Sequence, residues 1–212
     1  MAKATSNVRA ALNGPTNAAT ELIEMTQPYR VVVSIEGVAP ILFHRWSVEA
    51  VAEKAAAAKG SKGKKSDNIE SYVYRNGKGE ICIPGEYLRA AICSPTGAAK
   101  YRQDPRSPRK SALDLYKAGI FVATDLASLG TKDWDYLDQR RVTVQRAGIT
   151  RVRPAMANGW KAEFEIGVVL PEYIPPSDLR AVLIDAGRLV GLGDFRPTYG
   201  RFDTTRYQLV QA

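Results

Sequence analysis

The chain has 212 residues, 45% of them hydrophobic and 25% charged, with 30 Lys and Arg against 22 Asp and Glu for a formal charge of +8. That composition belongs to an ordinary soluble globular protein, and the length to one well-buried domain with insertions or at most two small ones. No apolar run reaches the roughly 20 residues that span a bilayer, and the two cysteines, Cys82 and Cys93, fit a reducing compartment, so a cytoplasmic protein with polyanionic partners is expected.

Residues 1–27 are rich in Ala, Thr and Asn, carry no apolar leader core, and read as an arm that docks on a neighbouring subunit or stays mobile. The β-branched run at 29–36 predicts a strand ended by Gly37 and Pro40. His44, Arg45 and Trp46 then lead into Ser47, an N-cap for an Ala-rich helix to about residue 58. A basic loop follows, with Lys62, Lys64 and Lys65 and no acid between 59 and 66. It reads equally as a solvated linker or as a nucleic-acid contact. Strands are expected at 71–75 and 80–83, joined by a turn at Asn76-Gly77. A helix then starts at Pro84, with Leu88, Ala91 and Ile92 on one face and Arg89 off it. Residues 94–111 read as an irregular, basic surface insertion.

Further on, a strand is expected at 118–123, a turn at 133–138, and a hairpin or bent strand pair at 141–145 and 148–153. Arg151 and Arg153 alternate with Thr150 and Val152 and so face one way, with Arg141 and Arg146 close in sequence. This row is either a nucleic-acid contact or a charge-protected edge strand. Residues 160–170 alternate as a half-buried strand. The helix after Pro175-Pro176 is expected to be capped by Ser177 or Asp178.

The chain is organised around its last loop, Gly191-Leu192-Gly193-Asp194-Phe195-Arg196-Pro197-Thr198-Tyr199-Gly200-Arg201-Phe202, between that helix and a final alternating strand. Gly191, Gly193 and Gly200 allow backbone conformations closed to other residues, and successive N–H groups of such a turn can cradle an anion. Arg196 and Arg201 suit phosphate, while Phe195 and Tyr199, like Trp46, offer flat faces to bases. The order helix, glycines, strand excludes a dinucleotide fingerprint, and no Gly-Lys-Ser/Thr makes a P-loop. One histidine and two cysteines with ten residues between them give no metal site, and no cofactor is expected. Together these elements predict an α+β protein around one mostly antiparallel sheet.

Three of these segments resemble the RAMP superfamily, whose members include backbone and RNA-processing subunits of CRISPR effector complexes. They are the strand ending at Gly37 with Ala39-Pro40-Ile41-Leu42 after it, the run Ile83-Pro84-Gly85-Glu86-Tyr87-Leu88-Arg89-Ala90-Ala91-Ile92, and the Gly191 loop. The resemblance implies a ferredoxin-like (RRM-like) palm over 28–212 with inserted finger and thumb elements. The basic insertions would lie at about 59–68 and 94–112, and a thumb-like hairpin at about 139–153. It implies a phosphate loop of Gly191, Gly193, Arg196, Gly200 and Arg201, with Arg89 where the family usually has Lys. Glu86 replaces the family's Ser and Ala90 its Gly. The resemblance further implies a single-stranded RNA binder that polymerises helically with itself, with other effector-complex subunits as further partners. Cleaving backbone relatives carry an Asp after the first strand, and here none lies between Gly37 and Ser47. Three alternatives stay open: an endonuclease using His44 as general base, a coat for single-stranded DNA, and a self-assembling protein free of nucleic acid.

Overall fold

The computed structural model describes residues 27–46, 68–144 and 147–210, with the isolated positions 48, 52 and 56. The expected arm up to residue 26, Lys62, Lys64 and Lys65, Arg146, and all but three positions of the helix expected from Ser47 lie outside the described residues.

The main sheet is built on β1 (Tyr29–Gly37), whose Tyr29, Val31, Val33 and Ile35 are buried while Arg30 is exposed. It lies between β11 (Lys161–Val168) and β12 (Phe202–Val210), and β7 (Ile120–Val122) closes the far edge beside β11. The order is β12-β1-β11-β7, and every neighbour pair is antiparallel. In β11 the alternation holds as expected, with Ala162, Phe164, Ile166 and Val168 buried. The opposite face of the sheet carries ion pairs: Arg30 with Glu165, Lys161 with Glu36, and Arg206 with Glu163.

Helices cover the apolar face. In α1 (Gly85–Cys93), Leu88, Ala91 and Ile92 are all fully buried, as their i, i+3, i+4 spacing requires. Burying each of the larger two is worth roughly 1.5–3 kcal/mol. The second helix is α2 (Leu113–Gly119). The third, α3 (Pro176–Asp185), buries Leu179, Val182 and Leu183 and runs into a π-helical turn, Ala186–Val190, that ends at Gly191. Neither Ser177 nor Asp178 caps α3: the N-cap is Pro175, and Pro176 opens the helix, its missing N–H being one that the first turn cannot use.

Two three-stranded sheets accompany the main one. In one, β4 (Ile81–Pro84) lies between β3 (Tyr74–Arg75) and β8 (Leu126–Ser128). The β3–β4 turn is wider than Asn76-Gly77 implied. Asn76 Oδ1 accepts from the N–H groups of Lys78 and Glu80, and Gly79, at φ 79°, takes the left-handed conformation. Of the strand expected at 71–75 only Tyr74–Arg75 forms, a 3-10 turn over Ile69–Tyr72 taking its first two positions. In the other sheet, β10 (Ala147–Met156) pairs with β2 (Ile41–Leu42) on one side and β9 (Tyr136–Val144) on the other.

The segment expected to be an irregular insertion is ordered. A 3-10 turn, Ala98–Tyr101, buries Ala98 and Ala99, and β5 (Gln103–Asp104) pairs with β6 (Ser107–Ser111). Its charges are partly spent on acids: Arg102 pairs with Asp185, and Arg106 with the buried Asp104. The strand expected from 118 begins at Ile120, because α2 runs on to Gly119.

Candidate nucleic-acid interface

The site forms where three distant segments meet at β2. β10 carries the hairpin onto β2 through the pairs Ala155–Leu42 and Met156–Ile41, and Phe43 N–H donates to Pro154 O at 3.0 Å. From the other side the glycine-rich loop docks on the same short strand. Asp194 N–H donates to Leu42 O at 2.9 Å, Gly200 N–H to Pro40 O at 2.8 Å, and Val38 N–H to Arg201 O at 3.0 Å. His44 follows β2 after one residue, Phe43, and lies between hairpin and loop, against Arg151 and Asp194.

The glycines serve the backbone of this junction. Gly191, Gly193 and Gly200 all have φ between 73° and 76°. A Cβ on Gly200 would sit 1.7 Å from Leu192 O, and one on Gly193 2.6 Å from Leu42 O. The loop's amides are spent inside the protein. Those of Gly191, Leu192, Asp194, Tyr199 and Gly200 donate to backbone carbonyls, and that of Phe195 to Asp194 Oδ1. The concavity of free N–H groups expected from the sequence does not form from these six, because four of them close turns within the loop and its preceding helix, and those of Asp194 and Gly200 tie the loop to Leu42 and Pro40.

The hairpin contributes side chains from one face. Antiparallel pairing sets Arg151 opposite Arg140 and Arg153 opposite Asp138, so these four share a face, while Arg141, exposed, points to the other. Arg140 donates to both oxygens of Asp138, to Oδ1 at 2.6 Å, and to Tyr199 Oη at 2.5 Å. Its guanidinium also lies 5.1 Å from the Phe195 ring centroid and 4.8 Å from that of Tyr199, within cation–π range. The two rings meet edge to face at 6.2 Å. The hydrogen bonds to Asp138 hold the Arg140 guanidinium above its ordinary range, so its charge is permanent.

Arg153 is 3% exposed, with its Nε 2.7 Å from Asp194 Oδ2 and its guanidinium 5.6 Å from the Phe195 centroid. The contact to Asp194 is close but misaligned: among the described residues neither Nε nor Nη1 of Arg153 has a hydrogen-bond partner. Arg151 Nη1 lies 3.1 Å from His44 Nε2 and 3.4 Å from Nδ1, and His44 stacks edge-on against Tyr72 at 4.6 Å. Asp194 Oδ2 is 3.9 Å from His44 Nδ1. The arginine row is therefore not an open phosphate surface: it faces the loop, and two acids lie within it.

Of the other residues singled out in the sequence, Arg45 lies 4.9 Å over the Tyr74 ring and Trp46 is 75% exposed beside it in the chain. Arg196 and Arg201 are exposed, the latter's Nε donating to Pro197 O at 2.8 Å. Arg89 donates to Lys117 O at the end of α2, a tie between helices. Sequence reading missed Asp138, Arg140, Tyr72 and Asp194. The pattern Asp138-x-Arg140 on a strand whose neighbour carries Arg151 and Arg153 was the available signal for the first two. Among the described residues no group of three His, Cys, Asp or Glu could hold a metal ion, and no helix is long and apolar enough to cross a membrane.

No protein-family model matches the chain, and no curated protein matches it. Among solved structures it is similar to a chain in the cryo-EM structure of the Type III-B Cmr-beta complex bound to cognate target RNA. The identity is 14% and the TM-score 0.46, with 90% of this chain covered and 63% of that one. The chain thus spans less than two thirds of that neighbour. A likeness at this TM-score carries no functional weight.

Proposed function

We propose that the protein binds single-stranded RNA where residues 44–46, the β9–β10 hairpin and the 191–201 loop converge, and that copies line up along the strand as subunits of a larger cytoplasmic ribonucleoprotein, alone or with other effector-type subunits. One observation carries this reading: three segments far apart in sequence bring guanidiniums and accessible aromatic rings to a single edge of a chain with net charge +8. Phe195, 41% exposed, and Trp46 would stack bases, while the exposed Arg141, Arg196 and Arg201, with the half-buried Arg45, would hold phosphates.

The fold we infer is ferredoxin-like, or RRM-like. Taking β1, β7, β11 and β12 as first to fourth strands, the sheet order is fourth, first, third, second. α1 and α2 lie between the first two strands and α3 between the last two, as that topology requires. Binding is favoured over cleavage, since both ring nitrogens of His44 face Arg151.

The test is to purify the protein and treat it separately with RNase and DNase before size exclusion and negative-stain microscopy. RNase-sensitive ladders or helical particles are expected. DNase sensitivity would move the reading to single-stranded DNA, and a nucleic-acid-free monomer would overturn it.

A further inference from the structure

We propose that Asp194 makes the innermost position of this interface a site for a nucleobase edge and not for a phosphate, an inference that rests on the strand-binding reading above. The loop places this carboxylate directly before Phe195, with Oδ1 accepting the Phe195 N–H at 2.9 Å and Oδ2 against Arg153 Nε at 2.7 Å. Its side chain is 34% exposed, while that of Arg153 is 4% exposed. Solvent, and any ligand, therefore meets the acid before the arginine.

A phosphate entering here would face a like charge. The neighbouring guanidinium of Arg140 is no remedy, being already bonded to Asp138 and Tyr199. A carboxylate only accepts hydrogen bonds. Each of the four RNA bases offers an N–H donor and an acceptor side by side on its pairing edge, which suits an acid set beside a guanidinium. Arg153 supplies the second half of that match. Its buried Nη1 has no hydrogen-bond partner among the described residues, and a buried donor left unbonded is costly unless something satisfies it. The Phe195 ring covers this guanidinium in the free protein, so an incoming base stacks against the ring and takes over part of its place. Phosphates then belong to the outward Arg141, Arg196 and Arg201, which are exposed.

The experiment compares two labelled strands of about 20 nucleotides, an oligouridine RNA and the same backbone without bases, by fluorescence anisotropy over a salt series. The wild-type protein is expected to prefer the base-bearing strand about tenfold or more, the scale of one bidentate side-chain pairing with a base edge. Asp194→Asn is expected to bind the abasic strand more tightly, to lose most of the preference, and to show a salt slope steeper by about 0.7, one phosphate's worth on a single strand. Asp194→Glu, which keeps the charge, retains the preference. A wild-type ratio preserved in Asp194→Asn overturns this proposal alone, whereas no binding of either strand by the wild type overturns the strand-binding reading and this proposal with it. A thiouridine strand photocrosslinked to the wild-type protein gives a reading independent of any variant. Crosslinks within 194–199 are expected. Crosslinks confined to other segments overturn the base site.

Discussion

Gly200 has no room for a side chain: at φ 73°, any Cβ would lie 1.7 Å from the carbonyl oxygen of Leu192. Gly200→Ala combines backbone strain with a steric clash against backbone, and is expected to destabilise by about 2–4 kcal/mol, read as a lowered thermal midpoint. Asp104 gives a second prediction at this scale. Hydrogen bonding to the Arg106 guanidinium draws its carboxyl from 3.8 down to about 2. The folded value lies below the unfolded one, so the unfolded chain binds the proton first. The pair's contribution is whole above about 4 and is lost as pH falls towards 2. Over that window the wild type should lose thermal stability more steeply than Asp104→Asn, and parallel acid profiles would refute the pairing. Cys93 is the third case. Burial pushes its thiol up to about 11, so it should react with Ellman's reagent at neutral pH only on unfolding.

The β9–β10 hairpin shows the same physics for an element. Its register sets Arg140 opposite Arg151, an arrangement that repels unless acids intervene. Asp138 does so from the same strand, and Tyr199 and Phe195 clasp Arg140 from the loop. Arg140→Met would take the Arg140 guanidinium from Asp138 and remove one link between hairpin and loop, another being Arg153 against Asp194 and Phe195. Amide hydrogen exchange is therefore expected to quicken in Tyr136–Val144, with part of the protection restored by adding Asp138→Asn. Unchanged exchange would show that the β2–β10 pairing and the Arg153 contacts hold the hairpin in place without Arg140.

For the whole molecule, net charge and its placement act at different ranges. The charge of +8 draws polyanions from a distance, while close contact depends on which guanidiniums remain unpaired. Replacing Arg141, Arg196 and Arg201 one at a time by Ala is expected to reduce the salt slope of RNA binding by about 0.7 each, since each releases one phosphate contact on a single strand. Slopes equal to the wild type's in all three variants would move the phosphate track to another face. The open side of the main sheet is a poor competitor, because Arg30, Lys161 and Arg206 are paired there with Glu165, Glu36 and Glu163.

Periodicity made much of this fold legible without coordinates. The alternation of β11, the spacing of Leu88, Ala91 and Ile92, and the β-branched run of β1 are local patterns whose buried faces follow from strand and helix geometry. The loop at 191–202 announced itself by its three glycines, since no other residue takes those backbone angles at little cost. What the sequence could not show is how each polar group is spent. Whether the amides of Asp194 and Gly200 are open to an anion depends on the carbonyls of Leu42 and Pro40, about 150 residues earlier in the chain, accepting them. Whether Arg153 meets solvent or Asp194 depends on how a hairpin and a loop come together across β2. Composition and periodicity are sums over neighbours along the chain, and so they determined the α+β class and the basic character. Pairing of charges is a contact between distant segments, and only the tertiary structure decided which arginines face solvent and which face an acid.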